Sequence, residues 1–281
     1  MRNLSEIARQ LEASSDGIWT ARTISKVSYP ESGNDIYFAI EDQSFWFRHR
    51  NDCILEAARM LPPPRDILGG TIFDVGGGNG FVAKALQDAG WDVVLVEPGA
   101  RGAMNAHGRG VRQVVRAAFE DAGFAADSLP AIGLFDVVEH TPDDRAFLGS
   151  LAHALAKGGR IYLTAPAGRW LWSHEDVLAG HYRRYNLSGL RSILTAAGLE
   201  VEYATCFFGF FPFPMLLRRV LPYRLGLGAM EPTAEQVRAD HVLGGSARKI
   251  LGALLRRELH RIRSGRLSSF GGSCLAVARK R

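Results

Sequence analysis

Short apolar runs and amphipathic segments alternate along most of this chain. Seven mainly apolar runs have the length of buried strands, at 71–75, 92–96, 111–115, 131–134, 160–165, 200–207 and 273–278. The segments between them repeat apolar residues every three or four positions, which predicts helices at 79–89, 99–107, 144–156 and 187–197. Strands that alternate with helices are typical of an α/β fold. We therefore predict a seven-stranded, mostly parallel sheet with helices on both faces.

Three parts of the chain lie outside this alternation. Residues 3–13 place apolar side chains on one helical face and predict a short helix, whereas 14–34 is polar and predicts a loop or a weak hairpin. A helix is predicted from residue 44 to Met60, where prolines end it. The predicted units are an N-terminal helical cap or lid (1–64), an α/β core (65–208), a basic helical insertion (209–270) and the last core strand (271–281).

A glycine-rich turn joins the first core strand to the first core helix. Gly76, Gly78 and Gly80 permit a sharp bend and a close approach of the backbone to a ligand. The helix that follows presents unpaired backbone N–H groups. Asp74 precedes the turn, and Glu97 follows the next strand, where a carboxylate can accept the hydroxyl groups of a ribose. This pattern predicts a site for a small molecule that contains adenosine.

Two classes of cofactor fit a glycine turn of this kind, and Asp74 separates them. The match to the dinucleotide pattern at 78–83 is weak by itself, and a pyrophosphate gains nothing from a nearby carboxylate. A ligand with an ammonium group would gain from it. A NAD(P)-dependent oxidoreductase is the first alternative function, and a non-catalytic cofactor-binding protein of the same fold is the second.

The fourth core strand leads into the segment LFDVVEH at 134–140. Together with Asp74 and the glycine turn, this segment resembles the class I S-adenosylmethionine-dependent methyltransferases, in the branch with Asp-Val-x-Glu-His after strand four. The resemblance covers about 37–208 and a last strand near 273–279. It implies a Rossmann-like fold, S-adenosyl-L-methionine as the cofactor, and methyl transfer to an oxygen or nitrogen of a small-molecule acceptor.

The resemblance also implies cofactor contacts at individual residues. Asp74 and the glycines would hold the methionine part of the cofactor, and Glu97 would hold the ribose. Phe119 would stack on the adenine, with a plain core position for this ring as an equal alternative. Arg50, in the aromatic-rich segment predicted to form a lid, is placed to bind a carboxylate. The other predicted cofactor contacts are Ala118, Phe135 and Asp136.

Three histidines are candidates for a general base, since imidazole titrates near neutral pH. His181 is the first candidate and His174 the second, because they follow the fifth strand, where the family usually builds its acceptor site. His140 is the third, and for Glu139 and His140 together a structural or cofactor-side role, such as bracing the loop by hydrogen bonds, is favoured over catalysis. The spacing of histidines, cysteines and acids predicts no metal site.

Aromatic residues and arginines are concentrated in 170–186, which suggests an acceptor with a ring or an acidic group. Acidic, sugar-like and lipid-linked acceptors all fit this composition. As an alternative, the same side chains only lock the loop or form a solvated face. The predicted acceptor contacts are Trp46, Trp172, Tyr182, Arg184 and Tyr185.

The insertion carries the basic surplus of the chain. The net charge is +5, and residues 209–270 hold eleven Lys or Arg against four acids. Three interpretations stay open: a helical hairpin packed on the sheet or in a homodimer, a lid over the acceptor, or peripheral membrane contact through 207–228. Neither the motif of amino-group DNA methyltransferases nor an RNA-binding module is recognisable, which argues against nucleic acid.

Cysteine usage and hydropathy address the compartment. Cys53, Cys206 and Cys274 lack the spacing of a metal site and are predicted to be buried free thiols. The sequence has no run of about 18 apolar residues, and its first residues lack the apolar stretch of a signal peptide. These features predict a cytoplasmic protein.

Overall fold

The computed structural model describes residues 4–23, 37–227 and 245–281, with side chains from 248 onward in the last range. The strands are β1 (Leu11–Ala13), β2 (Trp19–Ala21), β3 (Ile72–Val75), β4 (Val93–Val96), β5 (Val114–Arg116), β6 (Leu129–Phe135), β7 (Leu155–Pro166), β8 (Leu199–Phe207) and β9 (Ser273–Lys280). The helices are α1 (Phe45–Met60), α2 (Phe81–Asp88), α3 (Ala100–Gly108), α4 (Phe119–Ala122), α5 (Asp144–Ala154), α6 (His174–Leu178), α7 (Leu187–Ala196), α8 (212–224) and α9 (Gly245–Arg263). The middle of α8, Leu216–Val220, is a π-helix.

The described strands form one sheet in the order β1-β2-β5-β4-β3-β6-β7-β9-β8. The strands from β5 to β7 in this order are parallel, and β9 runs antiparallel between β7 and β8. The predicted α/β fold with a mostly parallel sheet is confirmed, and all seven predicted strands are present. The helix predicted to reach 156 ends earlier, at Ala154, because Leu155 already pairs with Leu129 of β6.

The sheet has nine described strands rather than seven, because an N-terminal hairpin extends it beyond β5. The predicted helix over 3–13 is wrong at Leu11–Ala13, which pairs antiparallel with β2, while β2 pairs in parallel with β5. An isolated helix this short is marginal in water, whereas the edge of β5 offers unpaired backbone groups. The weak hairpin predicted as an alternative within 14–34 is right for the strand Trp19–Ala21, but the partner strand, Leu11–Ala13, lies before that range. Residues 24–34 lie outside the described residues.

Apolar side chains pack on both faces of the sheet. Phe73 and Val75 belong to one buried cluster and Ile72 to the other, as the two-residue period of a strand requires. Strands covered on both faces read as continuous apolar runs, which is why they were predictable. Asp74 breaks this run and is nevertheless buried, with 1% of its surface exposed.

The insertion is fastened to the core where the chain leaves β8. Glu258 of α9 lies 2.9 Å from Nε2 of His49 on α1, measured from Oε2. Its two carboxylate oxygens also accept the backbone N–H groups of Phe208 at 2.7 Å and Gly209 at 3.0 Å. One buried carboxylate therefore ties α9 both to α1 and to the start of the insertion.

Two further predictions concern the interior and the membrane. Cys53, Cys206 and Cys274 are buried and free, as predicted. Within 4–23, 37–227 and 245–281, no helix is both long enough and apolar enough to cross a bilayer.

Candidate active site

Most of the predicted site residues follow the carboxyl ends of β3, β4, β6 and β7. These four strands are parallel and adjacent, so the loops after them meet at one edge of the sheet. Open α/β sheets bind ligands beyond this edge. The chemistry of the candidate site therefore depends on how these loops are held together.

A glycine turn follows β3 at this edge of the sheet. Gly76, Gly78 and Gly80 have φ values of 69°, 52° and 74°, a region that glycine occupies without strain. A Cβ at Gly76 would lie 2.7 Å from Val137, and a Cβ at Gly80 would lie 2.8 Å from Ala106. A Cβ at Gly78 would meet nothing within 4 Å. Two glycines thus permit packing, and Gly78 faces open space.

Asp74 lies beneath this turn, and one of its carboxylate oxygens is unsatisfied. Its Oδ2 is buried and has no hydrogen-bond partner among the described residues, and a Cβ at Gly77 would lie 2.9 Å from it. Burial raises the pKa of Asp74 to about 7, against an opposing effect of the Arg50 charge. A buried acceptor without a donor is costly unless a ligand supplies one. This carboxylate therefore fits the ammonium group of a ligand in the turn.

Glu97, at the end of β4, braces the glycine turn. Its Oε2 accepts the backbone N–H of Gly78 at 2.9 Å, and its Oε1 accepts that of Gly99 at 2.7 Å. Burial raises the pKa of Glu97, while these two bonds oppose the shift. The sequence predicted a ribose contact here and missed the bracing. Each oxygen keeps a second lone pair for a hydroxyl donor.

Arg50 reaches from α1 across the end of β6. Its Nη1 donates to Oδ2 of Asp136 at 2.5 Å, and Thr164 Oγ1 donates to the other oxygen of Asp136 at 3.0 Å. Asp136 itself has a φ of 56°, in the left-handed region that non-glycine residues seldom occupy. Arg50 Nε is buried without a partner among the described residues. Two residues that were predicted separately as cofactor contacts are thus paired with each other, and the Nε donor of Arg50 is left for a ligand.

A second charged contact closes over the glycine turn and was missed by sequence reasoning. Glu41, which follows a helical turn at 37–40, lies 2.6 Å from Nη2 of Arg109, and each side chain is 9% exposed. The Arg109 guanidinium also stacks over Phe81, 5.0 Å from the ring centre. Asn79 accepts from Asn105 at 2.9 Å in the same layer. These contacts bring the N-terminal segment onto the turn.

His181 and His140 meet beside this site. Their ring centres lie 4.7 Å apart, edge to face. His181 Nδ1 lies 2.9 Å from Oδ1 of Asp176, which is fully buried. Burial, followed by the charge of His181, lowers the pKa of His140 to about 4, so that this imidazole is neutral near pH 7. His181 therefore has the environment of an oriented base, and His140 has that of a neutral neighbour.

Glu139 adds a buried carboxylate to the two histidines. Its Oε2 has no partner among the described residues, and burial, with the charge of Asp136, raises its pKa well above the usual value. Ligand atoms of Glu139, His140 and His181 lie within 4.8 Å of one another. The sequence predicted no metal site because His181 lies 41 positions after His140 in the chain. The three groups are close enough to contact one polar atom or ion.

The other predicted acceptor residues separate into bracing and accessible ones. Arg184 Nε donates to Asp176 at 2.7 Å, and the buried Tyr185 donates to Asp144 at 2.8 Å, so both support the loop. Tyr182 is 55% exposed, and Trp172 is half-buried. Of the predicted acceptor residues after β7, Tyr182 and Trp172 are thus the accessible pair.

Several predicted contacts lie in packed surroundings. Trp46 stacks on Phe208 with ring centres 3.7 Å apart, and the ring of His174 lies 6.4 Å from that of Tyr223 on α8. Phe119 is 6% exposed and packs at 5.1 Å on Phe124, which is the core alternative kept open for it. Phe135 is 7% exposed, and Ala118 caps α4.

Comparison with known proteins gives one family. A family model described as "Methyltransferase domain" matches residues 46–204. No curated protein matches the chain in sequence. Among solved structures, a Haloferax volcanii protein described as a methyltransferase, in complex with a methyltransferase activator, aligns with a TM-score of 0.54 at 17% identity, covering 89% of this chain and 93% of that one.

Two further solved structures share the fold. Phosphoethanolamine N-methyltransferase 2 of Haemonchus contortus, in complex with S-adenosyl-L-methionine, aligns at 17% identity with a TM-score of 0.56 over 91% of this chain, which spans 58% of that protein. A Bacillus halodurans protein described as a methyltransferase aligns at 21% identity with a TM-score of 0.52, covering 81% of this chain and 98% of that one. At these identities the likeness is one of fold.

Proposed function

Because this chain belongs to the class I S-adenosylmethionine-dependent methyltransferases, whose family model matches more than half of it, we propose that it methylates an oxygen or nitrogen of a small-molecule acceptor. The observation that carries the proposal is the buried Oδ2 of Asp74, which has no donor among the described residues and lies beneath an open glycine turn. A cofactor with an ammonium group supplies the missing donor, whereas the carboxylate of Asp74 would repel a pyrophosphate.

The residues of this chain divide the binding of the cofactor among them. When bound, S-adenosylmethionine supplies an electrophilic methyl group on a sulfonium centre. Asp74 would accept the ammonium protons, and Glu97 would accept a ribose hydroxyl while it continues to brace Gly78. Arg50 is paired with Asp136 through Nη1 and has an unpaired Nε, from which it would donate to the carboxylate of the cofactor. The ionisable groups of Asp74, Glu97 and Arg50 are held in position because they are buried. They therefore orient the ligand as well as attract it.

His181 is the proposed general base. Burial acts to raise the pKa of Asp176, but hydrogen bonds from His181 and Arg184 outweigh it and lower this pKa, so the carboxylate stays ionised. An ionised carboxylate can only accept, so Nδ1 of His181 carries the proton toward it. Nε2 then has a free lone pair, which takes the proton of the acceptor O–H or N–H as the methyl group is transferred.

The acceptor is proposed to be small and acidic. Tyr182, next to His181 in the chain, and Trp172, in the same loop region after β7, offer accessible aromatic surface. Arg183 lies next to Tyr182 and is only partly buried. It pairs with Asp144 at 2.9 Å, and an anionic group of the acceptor could compete with Asp144 for its guanidinium group. The Haemonchus contortus neighbour is named for a phosphorylated acceptor. These features favour a phosphate or carboxylate on the acceptor.

Calorimetric titration of S-adenosylmethionine and, separately, NADH into the purified protein tests the cofactor. We expect binding of S-adenosylmethionine alone, weakened roughly 10- to 100-fold by Asp74→Asn, the effect of losing one charged hydrogen bond. Glu200→Gln, an exposed acid on β8, is the matched control and should bind as the wild type does. Binding of NADH instead, or unchanged affinity in Asp74→Asn, would refute the proposal.

Methyl transfer is tested with the methyl-labelled cofactor and a panel of phosphorylated amines, phenols and sugar acids. Label should appear in at least one acceptor with the wild type, and transfer should fall about 10²-fold or more in His181→Ala while cofactor affinity is kept. Equal transfer by both proteins would remove His181 from the mechanism without affecting the assignment of the cofactor.

A further inference from the structure

Helix α8 exposes apolar side chains along one face. Phe213, Leu217, Leu221 and Leu225 recur every four residues and are 63%, 64%, 39% and 68% exposed. In an α-helix a step of four residues drifts by about 40°, and the wider π-helical turn at 216–220 drifts the opposite way. The combination keeps all four side chains on one side, which we call the apolar stripe.

The other face of α8 already packs on the protein. Pro212, Met215 and Val220 are buried, and the last two form a small cluster with Leu171. The apolar stripe therefore does not serve to hold α8 in place. Four large apolar side chains on one exposed face need a partner, because such patches mark interaction sites.

The stripe continues onto neighbouring aromatic rings. Phe213 lies 5.8 Å from Phe270, which is 42% exposed and stacks at 6.4 Å with Trp170. Leu267, in the same loop as Phe270, is 59% exposed. The contacts join α8, the loop before β9 and the loop after β7 into one apolar surface.

The described part of the insertion that carries this surface has a surplus of basic residues. The described parts of 209–270, which are 209–227 and 245–270, contain ten Lys or Arg and a single acid, Glu258. That acid is turned inward, 9% exposed and bonded to His49. Arg218 and Arg224 are exposed on α8 itself, and residues 212–227 contain no acid. A surface that is both apolar and cationic complements one that is apolar beneath a negative layer.

We propose that the apolar stripe docks on the surface of an anionic lipid bilayer. A helix with exposed leucine and phenylalanine on one face, flanked by arginines, lies in the interface, with the apolar residues among the acyl chains and the guanidinium groups at the lipid phosphates. A protein partner of ordinary composition would bring its own mixture of charges, which a predominantly cationic rim does not match. The proposal does not depend on the methyl transfer.

Docking in this way would bring the acceptor loop to the bilayer. Arg224 Nη2 donates to the carbonyl of Trp170 at 3.1 Å, and Arg219 pairs with Glu175 on α6 at 3.2 Å. Both contacts join α8 to the segment that carries Asp176 and His181. An acceptor held in the outer layer of a membrane would then lie close to the candidate base.

Flotation with vesicles tests the proposal. Phosphatidylcholine vesicles with and without about one-third phosphatidylglycerol are mixed with the full-length protein. We expect binding to the anionic vesicles, which falls at least about tenfold in Leu217→Glu with Leu225→Glu, and falls severalfold in Arg218→Glu. Matched controls on other surfaces are Met104→Glu, at a residue 51% exposed, and Arg145→Glu on the exposed face of α5. Both should bind as the wild type does.

Three results would overturn it: no flotation with anionic vesicles, equal flotation with neutral ones, or equal loss in the control variants. Light scattering adds a fourth, since a dimer that Leu217→Glu with Leu225→Glu converts to a monomer would assign the stripe to a second copy of the chain. Cofactor titration of each variant shows that the fold is intact, because these side chains face solvent.

Discussion

His181 Nδ1 lies 2.9 Å from Asp176 Oδ1, and the Asp176 side chain has no exposed surface. The same carboxylate oxygen accepts Nε of Arg184 at 2.7 Å, and the other oxygen accepts the backbone N–H of Ser173 at 2.9 Å. The bonds from Arg184 and Ser173 thus hold the carboxylate that orients the imidazole of His181. Asp176 touches no reacting atom in this arrangement, so it is a positioning residue for His181.

We predict that Asp176→Asn lowers kcat about 10²-fold and shifts its pH profile, because an amide no longer requires the proton on Nδ1. Cofactor affinity should be unchanged. The measurement is kcat between pH 6 and 9 together with calorimetry. Asp144→Asn is the control, since that buried acid supports Tyr185 and should change stability but not the pH profile. An unaltered profile in Asp176→Asn would argue for a purely structural role.

Asp74 gives a pH dependence of stability with an unusual sign. Its pKa is about 7 in the folded protein and about 3.8 when unfolded, so the folded state binds the proton more tightly. The cost to stability is absent below about pH 4 and complete above pH 7. Asp74→Asn removes it, and we predict a gain of about 1–3 kcal/mol in the free energy of unfolding at pH 8 and little change at pH 4. Urea unfolding at both pH values measures this.

The same group makes cofactor affinity pH-dependent. A cationic ligand needs the carboxylate form of Asp74, so the affinity for S-adenosylmethionine should rise between pH 6 and 8 in the wild type. Asp74→Asn should bind weakly with a flat profile. A steep profile in the variant would show that another group is titrating.

Gly78→Ala separates ligand space from backbone strain. Gly78 and Gly90 both have positive φ, and a Cβ at either would meet nothing within 4 Å. Each alanine should cost about 1–2 kcal/mol of stability. Only Gly78→Ala should also lose cofactor affinity, by about tenfold or more, because its methyl group enters the candidate site. Calorimetry and thermal melting of the two variants make the comparison, and equal affinities would contradict the site.

Glu258 should contribute strongly to the free energy of unfolding, although it lies in the insertion and not in the α/β core. Glu258→Ala leaves His49 and the N–H groups of Phe208 and Gly209 without their acceptor in a buried setting. We predict a loss of about 3 kcal/mol in the free energy of unfolding. Glu200→Ala, which removes an exposed pair with Arg279 and Arg281, should unfold as the wild type does. A similar loss in both variants would mean that burial does not decide the effect.

Sequence reasoning succeeded where a local pattern carries the structure. The strands on both sides of Asp74 are continuous apolar runs, and Gly76, Gly78 and Gly80 stand at fixed spacing in a turn. Both signals follow from burial and backbone geometry over a few residues. The helix predicted from residue 44 is another such local feature, and the structure shows that the Ser44 side chain caps it by accepting the N–H of Phe47.

Contacts between residues that are distant in the chain could not be predicted from the sequence. Arg50 and Asp136 are 86 positions apart, and Glu41 and Arg109 are 68 apart, so neither pair leaves a periodic trace. The strand Leu11–Ala13 reads as a helical face, because its partner β2 forms only when the edge of β5 is available for β2 to pair with. The contact of His140 with His181 likewise exists only once two loops meet.

The position of β9 between β7 and β8 has a consequence for synthesis. β8 has only β9 as a neighbour in the described sheet, yet 65 residues separate Phe207 from Ser273. At ribosomal rates of about 5–20 residues per second, both β7 and β8 wait roughly 3–13 s with an unpaired edge after β8 is made. During this interval the nascent chain exposes unpaired strand edges, which can pair with other chains. Binding by a chaperone, or slow translation of the insertion, would therefore determine how much of the protein aggregates.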